Sequence, residues 1–134
     1  MPSKLTIYTL TRSPSTTQHG PVPLSVAFKA VCVPPNFVGL AVTALAGSAV
    51  SVATVIGFPF GYSCCQAKVA EAEQALADGA HELDVVACIS DIKAGRWEAL
   101  AMEVATLLSL VRASRGPAPR PLLKVIIESG VLTD

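Results

Sequence analysis

The sequence predicts an α/β fold in which a parallel sheet alternates with helices, and three observations predict it. Stretches rich in branched apolar residues recur at Val50–Phe58, His81–Ile89 and Leu122–Glu128. Helical stripes lie between them. Connected strands with an intervening helix pair in parallel, each crossover returning over one face of the sheet. No GxGxxG and no P-loop follows any of the strands, so the dinucleotide and NTPase readings lack their signature.

The first 27 residues form an irregular N-terminal segment. Leu5–Thr11 could be a strand, but residues 13–23 (SPSTTQHGPVP) are rich in turn formers, and His19 reads as a solvated loop residue. From Phe28 the text becomes regular. Ala30–Val33 is a short apolar strand ended by Pro34-Pro35; Asn36 is a plausible N-cap for a helix over Phe37–Ala46, stopped by Gly47. Val50–Phe58 reads as a buried strand closed by Pro59. A helix then starts at Ser63 or Cys64 and runs to about Asp78, with Val69, Ala72, Leu76 and Ala80 toward the core and Lys68, Glu71, Glu73 and Gln74 toward water.

The next strand carries an acid, Asp84, at a place where a central strand rarely spends a position on a carboxylate. Residues 91–95 (DIKAG) read as a loop with a solvated Lys93. Trp97, Leu100, Val104, Leu107, Leu108 and Val111 give a helical stripe, with Arg112 and Arg115 near its C-terminus. The loop of residues 116–121 leads to Leu122–Glu128. There Lys124 and Glu128 share one face, because side chains alternate along a strand. If the two charged strands are neighbours, Asp84 and Lys124 come within ion-pair distance. That pair is either raw material for proton transfer or a buried ion pair with no catalytic role.

Composition sets the outer bounds. The chain has 134 residues, 51% of them apolar and 15% charged, with a formal net charge of zero. This argues for a folded core and offers no basic patch for nucleic acid. Cys32, Cys64, Cys65 and Cys88 lack the spacing of a zinc site and read as reduced thiols in an intracellular protein. No charge falls between Lys29 and Lys68, yet Gly47-Ser48 and the prolines break that run, so a membrane span is not expected. The order of elements fits an open doubly wound sheet or part of an eight-stranded barrel. Thr133-Asp134 looks like an N-cap without its helix, and a barrel needs about 250 residues. The chain is about half of one.

Six segments in order resemble the deoxyribose-phosphate aldolase family. They are AVCVPP (30–35), VATVIGFPFG (52–61), ADGA (77–80), ELDVV (82–86), DIKAGRW (91–97) and LLKVIIESGVLTD (122–134). The resemblance covers Phe28 to the end and implies an incomplete (β/α)8 (TIM) barrel over residues 28–134. It implies a cytoplasmic class I aldolase that cleaves 2-deoxy-D-ribose 5-phosphate to glyceraldehyde 3-phosphate and acetaldehyde through a lysine Schiff base, with no metal or other cofactor. Asp84 matches the family's proton-relay aspartate, and Lys124 the lysine that lines the pocket and supports it. Cys32 matches a cysteine near the site in some members and reads first as packing. The Schiff-base lysine, its partner lysine and the phosphate-binding loops belong to the family's second half, so this chain is expected to lack them and to be inactive alone. The alternative is a non-catalytic half-barrel that binds weakly or associates with itself. The partners implied are a small sugar phosphate and a possible second copy, with no nucleic acid and no membrane.

Overall fold

The computed structural model describes residues 28–114 and 120–132. Four strands, β1 (Ala30–Val33), β2 (Ser51–Ile56), β3 (Glu82–Val86) and β4 (Leu122–Ile126), form one sheet in the order β1-β2-β3-β4. All three pairings are parallel. Helix α1 (Val38–Ala44) links β1 to β2, α2 (Cys65–Ala77) links β2 to β3, and the short α3 (Ile89–Lys93) and long α4 (Trp97–Ala113) link β3 to β4. This is the strand–helix alternation of a partial (β/α)8 barrel. The expected strand at residues 5–11, the turn-rich segment after it, Arg115 and the Thr133-Asp134 cap lie outside the described residues.

Alternation sorts each strand into two faces. Val52, Thr54 and Ile56 of β2, with Leu83 and Val85 of β3, are at most 1% exposed. They pack with Val38 and Ala41 of α1, Ala72 and Ala75 of α2, and Leu107 and Val111 of α4 as the main core. Thr54 sits in this apolar layer because its hydroxyl donates to the Val33 carbonyl at 2.8 Å, which satisfies it. The opposite face carries Cys32, Ala53, Glu82, Asp84 and Lys124, and the core residues of the described helices gather on the first face instead.

Several boundaries differ from expectation, each for a local reason. Asn36 is not a cap, since it falls inside a 3-10 turn over Pro35–Phe37 that precedes α1. Residues 89–93 are helical rather than loop, and the turn after them is closed by Arg96, whose Nε donates to Asp91 Oδ1 at 2.9 Å. Lys93, at the end of α3, is exposed as expected. Trp97 begins α4 but is 60% exposed, and Glu103 takes an inward position on that helix. Strand β4 ends at Ile126. Glu128 lies beyond it with φ 50 and ψ 58, so it does not continue the Lys124 face.

The largest correction concerns α2. Lys68 does not face water: it is fully buried, and its Nζ donates to the Val86 carbonyl at 2.9 Å and to Glu103 Oε1 at 2.7 Å. Glu71 is also turned inward, accepting the Gly57 amide at 2.8 Å. The inward row is Lys68, Ala72 and Ala75, with Val69 and Leu76 at its margin. Small alanines let the helix approach the sheet, and the lysine stem fills the space beside Gly57, where an added Cβ would stand 2.9 Å from Lys68 Cε.

Candidate active site

The site is built on the open face by strand register. Cys32, Ala53, Glu82 and Leu122 stand side by side across β1 to β4; one step along, Val55, Asp84 and Lys124 form the next row. Asp84 and Lys124 are direct cross-strand partners, as expected from the two strands being neighbours. Lys124 Nζ lies 2.8 Å from Asp84 Oδ1. It also lies 2.8 Å from Glu82 Oε2, so one ammonium bridges two carboxylates from the same face of β3.

Burial grades the three groups. The side chain of Glu82 is 11% exposed, that of Asp84 20% and that of Lys124 42%. Both carboxylates meet the ammonium as charge contacts at the same 2.8 Å, and Asp84 Oδ1, the oxygen that takes part, is buried. Burial alone would lower the Lys124 ammonium, but the carboxylates of Asp84 and Glu82 outweigh it and hold its pKa above the ordinary lysine value. Lys124 is therefore a fixed cation rather than a free amine. The Cys32 thiol is pushed up, first by burial and then by the negative charge of Asp84, with Lys124 opposing. Cys32 is thus a neutral thiol within the field of the cluster.

The cluster carries two acids and one base, so one negative charge is left over on a partly wetted surface. Such a group can accept a proton from a bound molecule while the cation stays in place. A separate cleft of about 750 Å³ lies in the helix layer, lined in part by Tyr62, Cys64, Cys65, Cys88 and Met102. Asp91 and Glu103 also line it, and none of Glu82, Asp84 and Lys124 does. No group of three His, Cys, Asp or Glu residues is placed to hold a metal ion among the described residues.

Comparison with known proteins identifies the relatives. The chain is 43% identical over 107 residues to the deoxyribose-phosphate aldolase of Carboxydothermus hydrogenoformans, covering 80% of this chain and 46% of that one. It is 48% identical over 107 residues to that of Rhodospirillum rubrum, covering 80% and 42%. Over four-fifths of its length this chain is a homologue of the deoxyribose-phosphate aldolases. It spans less than half the length of these two relatives. The structure agrees. A candidate deoxyribose-phosphate aldolase from Coccidioides immitis superposes with a TM-score of 0.72 at 34% identity, covering 79% of this chain and 39% of the other. The deoxyribose-phosphate aldolase of Aeropyrum pernix, described as tetrameric, does so with a TM-score of 0.65 at 28% identity, covering 79% and 42%. No protein-family model matches the chain.

Within this aldolase-like half-sheet, the sequence pattern places Asp84 beside Lys124, and Glu82 joins them only in the structure. The signal was present. Glu82 is two residues before Asp84 on one strand, and the alternation that aligned Lys124 with Asp84 also puts Glu82 on that face.

Proposed function

We propose that this chain supplies one wall of the substrate pocket of a class I deoxyribose-phosphate aldolase, which interconverts 2-deoxy-D-ribose 5-phosphate with glyceraldehyde 3-phosphate and acetaldehyde. The observation that carries the reading is the Lys124 ammonium held between Glu82 and Asp84 on the open face of a sheet whose homologues are aldolases. In this reading Asp84 takes and returns a proton through water as the C–C bond breaks, and Lys124 holds the carboxylate in position and stabilises its charge. The electron sink is a Schiff base on a lysine outside these 134 residues.

The described lysines support that division of labour. Lys124 is held as a cation, Lys68 is buried in an ion pair, and Lys29 and Lys93 are exposed. A Schiff-base nucleophile needs a free amine near neutrality. The substrate is a small sugar phosphate, and the setting proposed is the cytoplasm. No described helix is long and apolar enough to cross a membrane.

Borohydride trapping with 2-deoxy-D-ribose 5-phosphate, read by intact mass, tests the division. No adduct is expected on this chain, and an adduct on any of its lysines would overturn it. Amide shifts at Asp84 and Lys124 on adding the same sugar phosphate test the pocket, and silence at both positions would refute it. A second reading, a non-catalytic association module, draws on Leu122, Val125 and Ile127, which are 51%, 40% and 52% exposed along the β4 edge.

A further inference from the structure

Two charged residues of α2 turn onto one glycine. The Gly57 amide donates to Glu71 Oε2 at 2.8 Å, and on its other side Gly57 lies so close to the Lys68 stem that an added Cβ would stand 2.9 Å from Lys68 Cε. The ion pair with Glu103 accounts for the burial of Lys68. Nothing comparable accounts for Glu71. Among the described residues no cation pairs with it, and its side chain accepts from a neutral backbone amide.

Gly57 is the first residue after β2 and opens the loop of residues 57–61. That loop folds back on itself, the Gly61 amide donating to the Gly57 carbonyl at 2.8 Å. Its far end rests on the strand that carries Asp84: an added Cβ at Gly61 would stand 2.6 Å from the Val86 carbonyl oxygen, two residues beyond Asp84. Between these ends Phe58 and Phe60 are exposed at the C-terminal edge of the sheet, the edge at which parallel α/β sheets bind ligands.

We infer that Glu71 is a positioning residue for the pocket proposed above: its carboxylate latches Gly57 to α2 and so fixes the loop of residues 57–61 against the end of β3. Gly57 has φ 66, a backbone state that glycine enters and leaves freely, so the root of the loop needs an external hold. An amide bonded to a carboxylate supplies one, being roughly twice as strong as a neutral hydrogen bond. Lys68, itself bound to the Val86 carbonyl, closes the other side of Gly57 and joins helix, loop and β3. The role at the pocket rests on the aldolase reading; the latch itself does not.

The test is amide hydrogen exchange by NMR on the whole chain, in wild type, Glu71→Leu and Glu71→Gln. The Asp84 amide shift gives the Kd for 2-deoxy-D-ribose 5-phosphate in the same samples. The Gly57 amide should be protected in wild type, exchange roughly tenfold faster or more in Glu71→Leu, and recover most of its protection in Glu71→Gln, which keeps an acceptor oxygen. The Kd should rise several-fold in Glu71→Leu and return in Glu71→Gln. A fast-exchanging Gly57 amide in wild type overturns the latch without any variant, so the test survives a Glu71→Leu chain that fails to fold. Protection untouched by Glu71→Leu in a folded chain overturns it as well. A lower urea midpoint with an unchanged Kd would make Glu71 a scaffold residue only and overturn the positioning role. Silence of Asp84 and Lys124 toward the sugar phosphate in wild type refutes the aldolase reading, while the exchange rates still decide the latch.

Discussion

Replacing Glu103 with glutamine isolates a charge pair buried in the helix layer. Lys68 has no exposed surface, and its ammonium is bound by Glu103 at 2.7 Å and the Val86 carbonyl at 2.9 Å. Glu103→Gln keeps the shape but leaves the ammonium buried opposite neutral groups. Removing one partner of a buried pair costs roughly 3–5 kcal/mol. The side chain of Glu103 is 10% exposed, so some water reaches the pair and the lower end, about 3 kcal/mol, is expected here. Against a total stability of about 5–15 kcal/mol that is a large loss. Replacing both partners, as Lys68→Met with Glu103→Leu, should recover most of it, because an apolar pair of similar volume is often neutral or better. Urea unfolding followed by circular dichroism measures both, and the double-mutant cycle isolates the coupling. A loss under about 1 kcal/mol in Glu103→Gln, or a double variant no better than the single, would refute the claim that this pair is desolvated.

Three further outcomes are expected. The Lys124 ammonium has its native pKa raised above 10.5, so the folded state binds that proton more tightly than the unfolded chain does. Its contribution is intact below 10.5 and fades as pH climbs through the higher native value; urea midpoints of wild type and Lys124→Gln should converge only in that alkaline range, and convergence near neutral pH would contradict it. Gly61→Ala should lower the thermal midpoint sharply, since Gly61 has φ 69 and a Cβ there would stand 2.2 Å from the Ala87 carbonyl oxygen; about 1–3 kcal/mol comes from the backbone conformation alone. Gly130→Ala, with nothing within 4 Å of the added carbon, is the control and should change little. Sedimentation should show a mass that rises with protein concentration and falls back in Leu122→Lys with Ile127→Lys, whereas a wild-type monomer at every concentration would remove the association reading.

The strands were legible because their signal has period two and an apolar face. β2, β3 and β4 fall within the expected stretches, and the errors are at the ends, where pairing stops before the apolar residues do. Helix α2 was misread for a physical reason. Alanine carries almost no preference for inside or outside: Ala72 and Ala75 are buried while Ala67, Ala70 and Ala77 are exposed. With so few large apolar residues to fix the inward stripe, a lysine was assigned to water by its charge alone. The acid that makes its burial tolerable lies 35 residues away on another helix, and no local pattern connects them. The N-cap at Asn36 failed because proline at position 35 suits the first turn of a 3-10 segment.

The two lysine–carboxylate clusters of this sheet meet on one strand and differ in what surrounds them. β3 gives the Val86 carbonyl to Lys68 and the Glu82 and Asp84 carboxylates to Lys124. On the helix side the cation is fully enclosed and two contacts fix it, so its charge is useful only for holding α2 and α4 to the end of β3. On the open side the side chain of Lys124 is 42% exposed, and two carboxylates share its one ammonium. The same pairing chemistry is thus inert where it is sealed and available where it is wet. A small polar ligand can reach the first ammonium, and none can reach the second without unpacking the helix layer.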